Sequence, residues 1–237
     1  LYPGSVNKFV LASGGKLILT SALGGMNISG ATSTAEIKDV TGDLSINDST
    51  VKMDGKVTGN VLLSNGATLE GNNNVLGNID GTLTLAAGDE AKVGDVKQKV
   101  TASAGAKVTM NRALDDVDVS GAASNVAITT VVDGSLAVDA ATVTLAGMVG
   151  KGLTVSNKAT VTGATNVGGA LSLSDGDLEV ENVTQDVTVS AGGDLTMKAA
   201  VSDVKVTGAT SKVSLATIGG NLDITDGTIN MTGSVTG

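Results

Sequence analysis

The chain lacks several residue types on which common catalytic sites depend. Its 237 residues include no Cys, no His and no Trp, and only one each of Pro, Tyr and Phe. Without thiolate and imidazole groups, cysteine proteases, His-based triads and the usual nitrogen- and sulfur-ligated zinc sites are excluded. The scarcity of aromatic rings leaves little on which a sugar could stack. We therefore expect a protein that is not an enzyme and that has no cofactor.

Positive charge is also in short supply. Lys and Arg number 15 against 24 Asp and Glu, which gives a formal net charge of −9 at pH 7. An acidic chain without a basic stripe is a poor match for nucleic-acid phosphates and for anionic membranes. No run approaches the roughly 18 consecutive apolar residues of a membrane-spanning helix. We expect neither a nucleic-acid partner nor membrane insertion.

What the chain does have is glycine, at 33 residues, and an internal repeat. One clear copy of the repeat has apolar residues at Val187, Val189, Leu195, Met197 and Val201. The pattern is two apolar residues spaced by two, a gap, a second pair of apolar residues spaced by two, a shorter gap and a fifth apolar residue. We call these five positions columns one to five. Spacing by two with a polar residue between predicts short strands. The spacers are rich in Gly, Asn, Asp and Ser, which predicts turns.

Copies of this pattern, which we call coils, can be aligned over nearly the whole chain, and no charged residue enters the columns given below. The coils begin at Phe9, Met26, Leu44, Val61, Leu83, Val100, Val117, Leu136, Leu153, Leu171, Val187, Val204 and Leu222. The second column contains Leu11, Ile28, Ile46, Leu63, Leu85, Ala102, Val119, Val138, Val155, Leu173, Val189, Val206 and Ile224. The fourth column is aligned as Leu19, Ile37, Met53, Leu69, Val93, Met110, Ile128, Leu145, Val161, Val180, Met197, Leu215 and Met231.

A phase-locked pattern of this kind predicts an all-β fold, a single-stranded parallel β-solenoid of about 13 coils of 16–22 residues. Two short strands and a third marked by one inward residue make each coil triangular in section. Because one coil cannot bury its inner face alone, its neighbours must do so. A sandwich or an up-and-down barrel would need hairpins instead. Left-handed hexapeptide solenoids keep multiples of six, so the variable coil length favours a right-handed coil.

The two ends of the repeat differ from its middle. Residues 1–8 are expected to be a cap or a docking segment, and residues 9–237 the solenoid. In the first coil the outward positions are apolar, whereas in later coils they are mostly polar or charged. At the other end the chain stops two residues after the last inward position, with no polar lid. The candidate interface for head-to-tail assembly of the chain with itself comprises Tyr2, Pro3, Phe9, Val10, Ile18, Leu222, Ile229, Met231 and Val235.

The outer surface offers features that fit metal binding, ice binding or a structural role. Asp115, Asp116 and Asp118 form the densest acidic cluster, which fits either a solvated turn or a calcium site. Outward Thr residues form partial rows, which is compatible with ice binding, although charged residues interrupt them. Opposite charges are expected side by side in adjacent coils in two pairs, which favours a structural role because such pairs help to fix register. These pairs are Glu36 with Lys52 and Lys205 with Asp223.

Short Gly-rich turns followed by alternating strands recur along the chain. Examples are Ser13-Gly-Gly-Lys-Leu-Ile-Leu, Ser64-Asn-Gly-Ala-Thr-Leu, Ser103-Ala-Gly-Ala-Lys-Val and Ser190-Ala-Gly-Gly-Asp-Leu. In these segments the chain resembles passenger regions of autotransporter adhesins and related secreted bacterial solenoids. Its coil length is also similar to that of bactofilins, cytoplasmic solenoids that polymerise end to end. The first resemblance implies a surface location and the second a cytoskeletal one, and neither implies a catalytic residue.

Together these patterns predict a non-enzymatic structural protein. We expect a solenoid subunit that stacks end to end into an extracellular filament or a surface layer. The absence of Cys is typical of bacterial surface proteins that cross the envelope without disulfides. Two alternatives remain open, a rod segment of a bacterial surface adhesin and an ice-binding solenoid.

Overall fold

The computed structural model describes residues 9–11, 14–72 and 76–237. In these residues the regular structure is all strand. The first strands along the chain are β1 (Phe9–Leu11), β2 (Lys16–Leu23), β3 (Met26–Thr41), β4 (Leu44–Met53), β5 (Lys56–Val57), β6 (Val61–Ser64), β7 (Thr68–Glu70), β8 (Asn78–Ile79), β9 (Leu83–Leu85), β10 (Glu90–Val96), β11 (Val100–Ala102), β12 (Lys107–Ala113), β13 (Val117–Ser120) and β14 (Asn125–Ile128).

The remaining strands continue the same order. They are β15 (Leu136–Asp139), β16 (Thr142–Leu145), β17 (Leu153–Ser156), β18 (Thr160–Thr162), β19 (Asn166–Val167), β20 (Leu171–Ser174), β21 (Asp177–Val183), β22 (Val187–Ser190), β23 (Asp194–Ala200), β24 (Val204–Thr207), β25 (Lys212–Leu215), β26 (Thr217–Ile218), β27 (Leu222–Thr225) and β28 (Thr228–Met231). None of the described segments is a helix with the length and apolar character needed to cross a bilayer.

The chain divides into two compact units, each of which is a parallel β-solenoid. The first comprises Leu1–Asp115 with Ala123–Val126, and the second Asp116–Ala122 with Ala127–Gly237. In both units a strand of one coil pairs in parallel with its counterpart in the next coil. In the first unit, for example, β4 pairs with β6 and β6 with β9. In the second unit β20 pairs with β22 and β22 with β24. The predicted fold class, an all-β parallel β-solenoid, is confirmed.

The coil starts predicted from the sequence coincide with the observed strands. Each of them is the first residue of its strand. In the first unit they stack directly on one another in the order Phe9, Met26, Leu44, Val61, Leu83 and Val100. In the second unit the order is Val117, Leu136, Leu153, Leu171, Val187, Val204 and Leu222.

The apolar columns form the core of each unit. Leu145 and Val161, whose exposure would have contradicted the solenoid, are both buried. Along β15, buried and half-buried residues alternate, as expected for a strand with one face inside. The third face of a coil is short. In the second unit it is made of elements such as β19 and β26, with Val167 and Ile218 pointing inward.

The alignment of Val161 was wrong by one column. It was placed in the fourth column, but in the structure it lies between Val143 and Leu178, in the third. The fourth position of that coil is Gly163, which follows beside Leu145. Gly163 has a φ of +79°, and a Cβ there would collide with the carbonyl oxygen of Leu145. With a single apolar residue on this strand, the sequence alone did not reveal which of two inward positions it filled.

Leu69 was misplaced for the same reason. It pairs with Val51 on one side and with Ala91 on the other, which places it in the third column. The register then brings Gly71, not an apolar side chain, beside Met53. Both errors therefore occur in coils whose fourth inward position is glycine.

The fifth column also needed one correction. In the copy that begins at Val187, Val201 was taken as the last inward residue, but it is 61% exposed. The inward residue is Ala200, which is buried and pairs with Val183 and Ile218 in the adjacent coils. The column is set by strand register and not by side-chain size, so the larger neighbour points outward.

The predicted cross-coil charge pairs have the expected register. Glu36 lies directly beside Lys52, and Lys205 directly beside Asp223. Each member of the first pair also forms an ion pair with a further coil, diagonally for Glu36 and in direct register for Lys52. The Nζ of Lys16 lies 3.9 Å from the Oε1 of Glu36, and the Nζ of Lys52 lies 3.6 Å from the Oε1 of Glu70. These partly exposed pairs help to fix register and contribute little stability.

Candidate functional site

The candidate assembly surface at the C-terminal side is formed by the last coil. Its first strand, β27, pairs in parallel with β24, and its second, β28, with β25. A single parallel bridge joins Ile218 to Val235 on the third face. The coil therefore continues the columns of the coil before it. On its other side, the described part of the chain supplies no strand to cover it.

The apolar column residues of this last coil are only partly buried. Leu222, Ile229 and Met231 are half-buried, while Ile224 is 45% and Val235 40% exposed. Their counterparts in the preceding coil are buried, at Val204, Val206, Val213, Leu215 and Ile218. In the second unit the five columns thus end in apolar residues that are only partly covered.

The backbone of the last coil has an open edge as well. At interior coil starts, the first-column N–H donates to the carbonyl of the residue that precedes the next start. Val187 donates in this way to Asp203 at 2.9 Å, and Val204 to Asn221 at 2.9 Å. Leu222 is next in this series, and the described residues contain no further coil to accept its N–H. Unpaired strand edges of this kind are templates for pairing with another chain.

The N-terminal half of the predicted interface is described only in part. Tyr2 and Pro3 lie outside the described residues, as does the whole segment 1–8. The backbone of Phe9 and Val10 forms β1, which pairs with β3, but their side chains are not described. The exposure expected for Ile18 is confirmed, since its side chain is 66% exposed. The inward residues of β2, Leu17 and Leu19, are half-buried.

The acidic cluster does not form a metal centre in the structure. Among the residues that the structure describes, no three acidic side chains converge on a point where they could hold a metal ion. The Oδ1 of Asp116 instead accepts a hydrogen bond from the backbone N–H of Ser135 at 2.8 Å. The one arginine is similarly engaged, because Arg112 forms an ion pair with Asp95 at 3.2 Å. These contacts join neighbouring coils.

One carboxylate in the first unit is held by two lysines from neighbouring coils. Asp80 forms an ion pair with Lys56, and its Oδ1 lies 2.9 Å from the Nζ of Lys97. Hydrogen bonds from Lys56 and then from Lys97 hold the pKa of the Asp80 carboxyl below its ordinary value. A carboxylate kept ionised between two ammonium groups is a poor general acid or base near neutral pH. This cluster stabilises the stack.

A groove in the second unit has a volume of about 470 Å³. Gly163 lacks a side chain there, which leaves Val180 and Met197 as part of its lining. On its rim, Glu181 and Lys198 are joined by an ion pair. The lining also contains Thr196, which lies directly beside Glu179 in strand register.

The outward Thr residues form a patch two coils wide. Thr142 and Thr144 on β16 lie beside Thr160 and Thr162 on β18. In the next coil Asp177 follows Thr160 and interrupts the row. A patch of this size is a small surface for ordering water, and it does not favour ice binding over assembly.

One set of residues that join coils was not predicted from the sequence. The position directly before a coil start often holds Asp or Asn, and its side-chain oxygen accepts the backbone N–H of the equivalent residue one coil later. This occurs at Asp43, Asn60, Asp116, Asp186 and Asp203. An Asp or Asn immediately before an apolar pair was the signal available in the sequence.

No protein-family model, curated protein or solved structure matches this chain. Of what the resemblance to secreted solenoids and to bactofilins implies, the structure shows the β-solenoid fold. The feature of the described residues that bears most on function is the last coil, formed by β27 and β28, whose apolar residues are partly exposed.

Proposed function

We propose that this protein is a non-enzymatic structural subunit that stacks end to end. Its partner is a second copy of the same chain, docked head to tail, and the product is an extracellular filament or a surface layer. Neither nucleic acid nor membrane insertion is part of this function. The net charge of −9 supports the first exclusion, and the absence of a long apolar run supports the second.

The observation that carries the proposal is the partial exposure of the apolar columns in the last coil. Ile224 and Val235 expose 45% and 40% of their surface, although their equivalents in interior coils are buried. Burying apolar surface is the main favourable term in protein association. Covering these columns would also give partners to the open strand edges. A coil docked on this surface would bury the exposed apolar residues and also pair the open strand edges.

The occupant that fits such a surface is another coil of the same solenoid. Inside each unit, coil packs on coil with the same column pattern and parallel register. The first coil of a second copy presents Leu17 and Leu19, which are half-buried and would continue the columns that end at Ile229 and Met231. A head-to-tail contact joins two different surfaces, and when it does not close into a ring it produces a filament.

The test is self-association of the full chain, measured by sedimentation and by electron microscopy over a wide concentration range. The wild type should form rods that lengthen with concentration. Ile224→Asp should abolish this growth, because docking would then bury an unpaired charge. A matched control is Val201→Asp, which makes the same kind of change at an exposed apolar residue away from the last coil. It should assemble like the wild type.

Two results would contradict the proposal. One is a wild-type chain that remains single at high concentration. The other is an Ile224→Asp variant that associates as well as Val201→Asp. If the gene encodes further coils after Gly237, those coils would occupy this surface in place of a second copy. The chain would then be a rod segment of a longer surface protein, as in the adhesin alternative.

A further inference from the structure

One face of the first unit has no charged side chain on its strands. It is formed by the first strands of five coils stacked in direct register, which are residues 26–29 of β3, residues 44–47 of β4, β6, β9 and β11. We call it the uncharged face. Its outward residues are Asn27, Ser29, Ser45, Asn47, Leu62, Ser64, Thr84 and Thr101.

The charged side chains of the same unit lie elsewhere on the coils. The ion pairs described there are Lys16–Glu36, Lys52–Glu70, Lys92–Glu90, Lys56–Asp80, Lys97–Asp80 and Arg112–Asp95. None of these residues lies within the strand segments of the uncharged face. Because a chain with a net charge of −9 repels its own copies, two copies meet with the least repulsion through this face.

Polar side chains on the uncharged face already bind one another. The Nδ2 of Asn47 donates a hydrogen bond to the Oγ of Ser64 in the next coil at 2.8 Å. Both residues are half-buried within the chain itself. Covering polar groups that already have partners and little freedom costs less desolvation and less side-chain entropy than covering free ones. The face is therefore suited to contact with another protein surface.

Leu62 projects from this face beside a recess. It lies on β6, the third of the five strands, and is 47% exposed, whereas its neighbour in the preceding coil, Ser45, is half-buried. A groove of about 400 Å³ lies next to Leu62, over Ser45 and Asn27. Asp43 at the edge of this groove accepts the backbone N–H of Asn60 at 2.7 Å, as part of the ladder formed by the Asp and Asn side chains before the coil starts.

We propose that the uncharged face is a lateral contact, at which a second copy of the chain docks side by side. The inference rests on the proposed function and adds the contact between neighbouring filaments that end-to-end stacking does not supply. A contact with two-fold symmetry uses the same surface on both copies. With the axis between Ser45 and Leu62, each Leu62 lies over the Ser45 of the other copy and fills its groove. Large side chains then face small ones, as in a well-packed interior.

The size of the uncharged face indicates how strong this contact is. Five strands about 4.8 Å apart, each with three or four residues at about 3.3 Å, cover roughly 250 Å². A stable interface of standard size buries about 800 Å² on each partner. Single copies are therefore expected to pair weakly. In a filament the contact recurs in every subunit, so the contributions accumulate and pairing follows filament formation.

The experiment uses the full chain and counts, by electron microscopy, the fraction of filaments that lie side by side in pairs over a series of protein concentrations. Leu62→Asp places a charge in the contact and should raise the concentration needed for pairing more than about tenfold, with filament length unchanged. The matched control is Leu76→Asp, the same substitution at a residue of the same coil that is 40% exposed and lies outside the uncharged face. It should pair like the wild type. Leu62→Thr keeps the face uncharged and should weaken pairing less than Leu62→Asp.

Salt provides a second measurement that needs no variant. Between about 20 mM and about 300 mM NaCl the repulsion between acidic filaments is screened, so pairing through an uncharged face should become stronger. A lateral contact made by ion pairs on the other faces would become weaker over the same range.

The possible outcomes separate this inference from the function on which it rests. If the wild type forms no filaments, both are overturned. If its filaments stay single at high concentration and high salt, the stacking stands and the lateral contact is wrong. The contact is also wrong if Leu62→Asp pairs as well as Leu76→Asp, or if wild-type pairs separate as salt is raised. Thermal melting of dilute protein shows whether each variant is folded. Where Leu62→Asp is not, Leu62→Thr decides, and pairing equal to that of the wild type overturns the contact.

Discussion

The coil that begins at Val204 and the coil that begins at Leu222 carry nearly the same apolar pattern, but they bury it to different extents. In the fourth column, Leu215 is 3% exposed in the first of these coils, whereas Met231 is half-buried in the second. In both coils the equivalent strand pairs in parallel, in the same register, with the coil before it. The difference is that a further coil covers only one of them.

This difference shows where the stability of the solenoid arises. A coil of about 18 residues cannot enclose its own side chains, so each column residue is buried by the residues above and below it. A column residue that is covered by a coil on both sides contributes the full free energy of its apolar burial to stability. A column residue that is covered on one side contributes only part of it. We therefore expect the last coil to be the least stable part of the second unit.

The largest effect on stability is expected from truncating the fourth-column side chain in each of the two coils. Leu215→Ala should lower the free energy of unfolding by about 2–5 kcal/mol, the usual range for a buried Leu or Met cut to Ala. Met231→Ala should lower it by less than half as much, because its side chain is already partly solvated in the folded chain. Urea unfolding of dilute protein, followed by circular dichroism, measures both.

Leu215→Met is the matched control for that pair. It keeps the side-chain volume and should change the stability by less than about 1.5 kcal/mol. Equal losses for Leu215→Ala and Met231→Ala would show that the covering coil is not what buries the column. The difference in side-chain exposure between the interior coil and the last coil would then not correspond to a difference in stability.

The coil starts were predictable because every coil begins with two inward residues separated by one outward residue. Turn residues precede that pair, so the period-two signal and the turn signal agree. In the second column, Val155 and Leu173 were placed correctly for this reason. Such agreement between local pattern and global stacking is what allows a fold to be deduced from one sequence.

The errors have a common physical cause. Gly163 leaves its column without a side chain, and Ala200 is inward beside the larger, outward Val201. At both places hydropathy is a poor guide, because the strand register imposed by the neighbouring coil decides which residue points inward. Of the candidate site, the residues of the last coil could be predicted from the columns. The ladder ending at Asn221 was missed although Asp or Asn before an apolar pair marks its positions, because that pattern alone does not show where a side-chain oxygen lies relative to the next coil.

A smaller effect is expected at the ladder between the same two coils. Asp203→Ala removes the acceptor of the Asn221 N–H and should reduce stability by about 1 kcal/mol. Asp203→Asn keeps an acceptor oxygen and should lose less. The sharpest measurement is hydrogen exchange at the Asn221 amide, which should accelerate in Asp203→Ala only. Asp223→Ala, at an exposed outward position of the last coil, is the control. Unchanged protection in Asp203→Ala would mean that the columns alone hold the last coil.

The smallest effect should come from an ion pair outside the columns. Asp80 lies between Lys56 and Lys97 in the first unit, and its pKa is held below the ordinary value, chiefly by the hydrogen bond from Lys56. The ionised carboxylate is therefore favoured in the folded chain. The stability that it adds is fully present above the unfolded pKa of about 4 and is lost as the pH falls through the lower, folded pKa.

Asp80→Asn should therefore be less stable than the wild type at pH 7, by about 1 kcal/mol or less because both lysines are half-exposed. This difference should shrink as the pH falls below about 4. Thermal melting of the two proteins at matched pH and salt tests this, and comparing them at each pH cancels the titration of the other carboxylates. A difference that stays constant down to pH 2, or that exceeds the loss in Leu215→Ala, would contradict the view that the columns, and not the surface charges, hold one coil to the next.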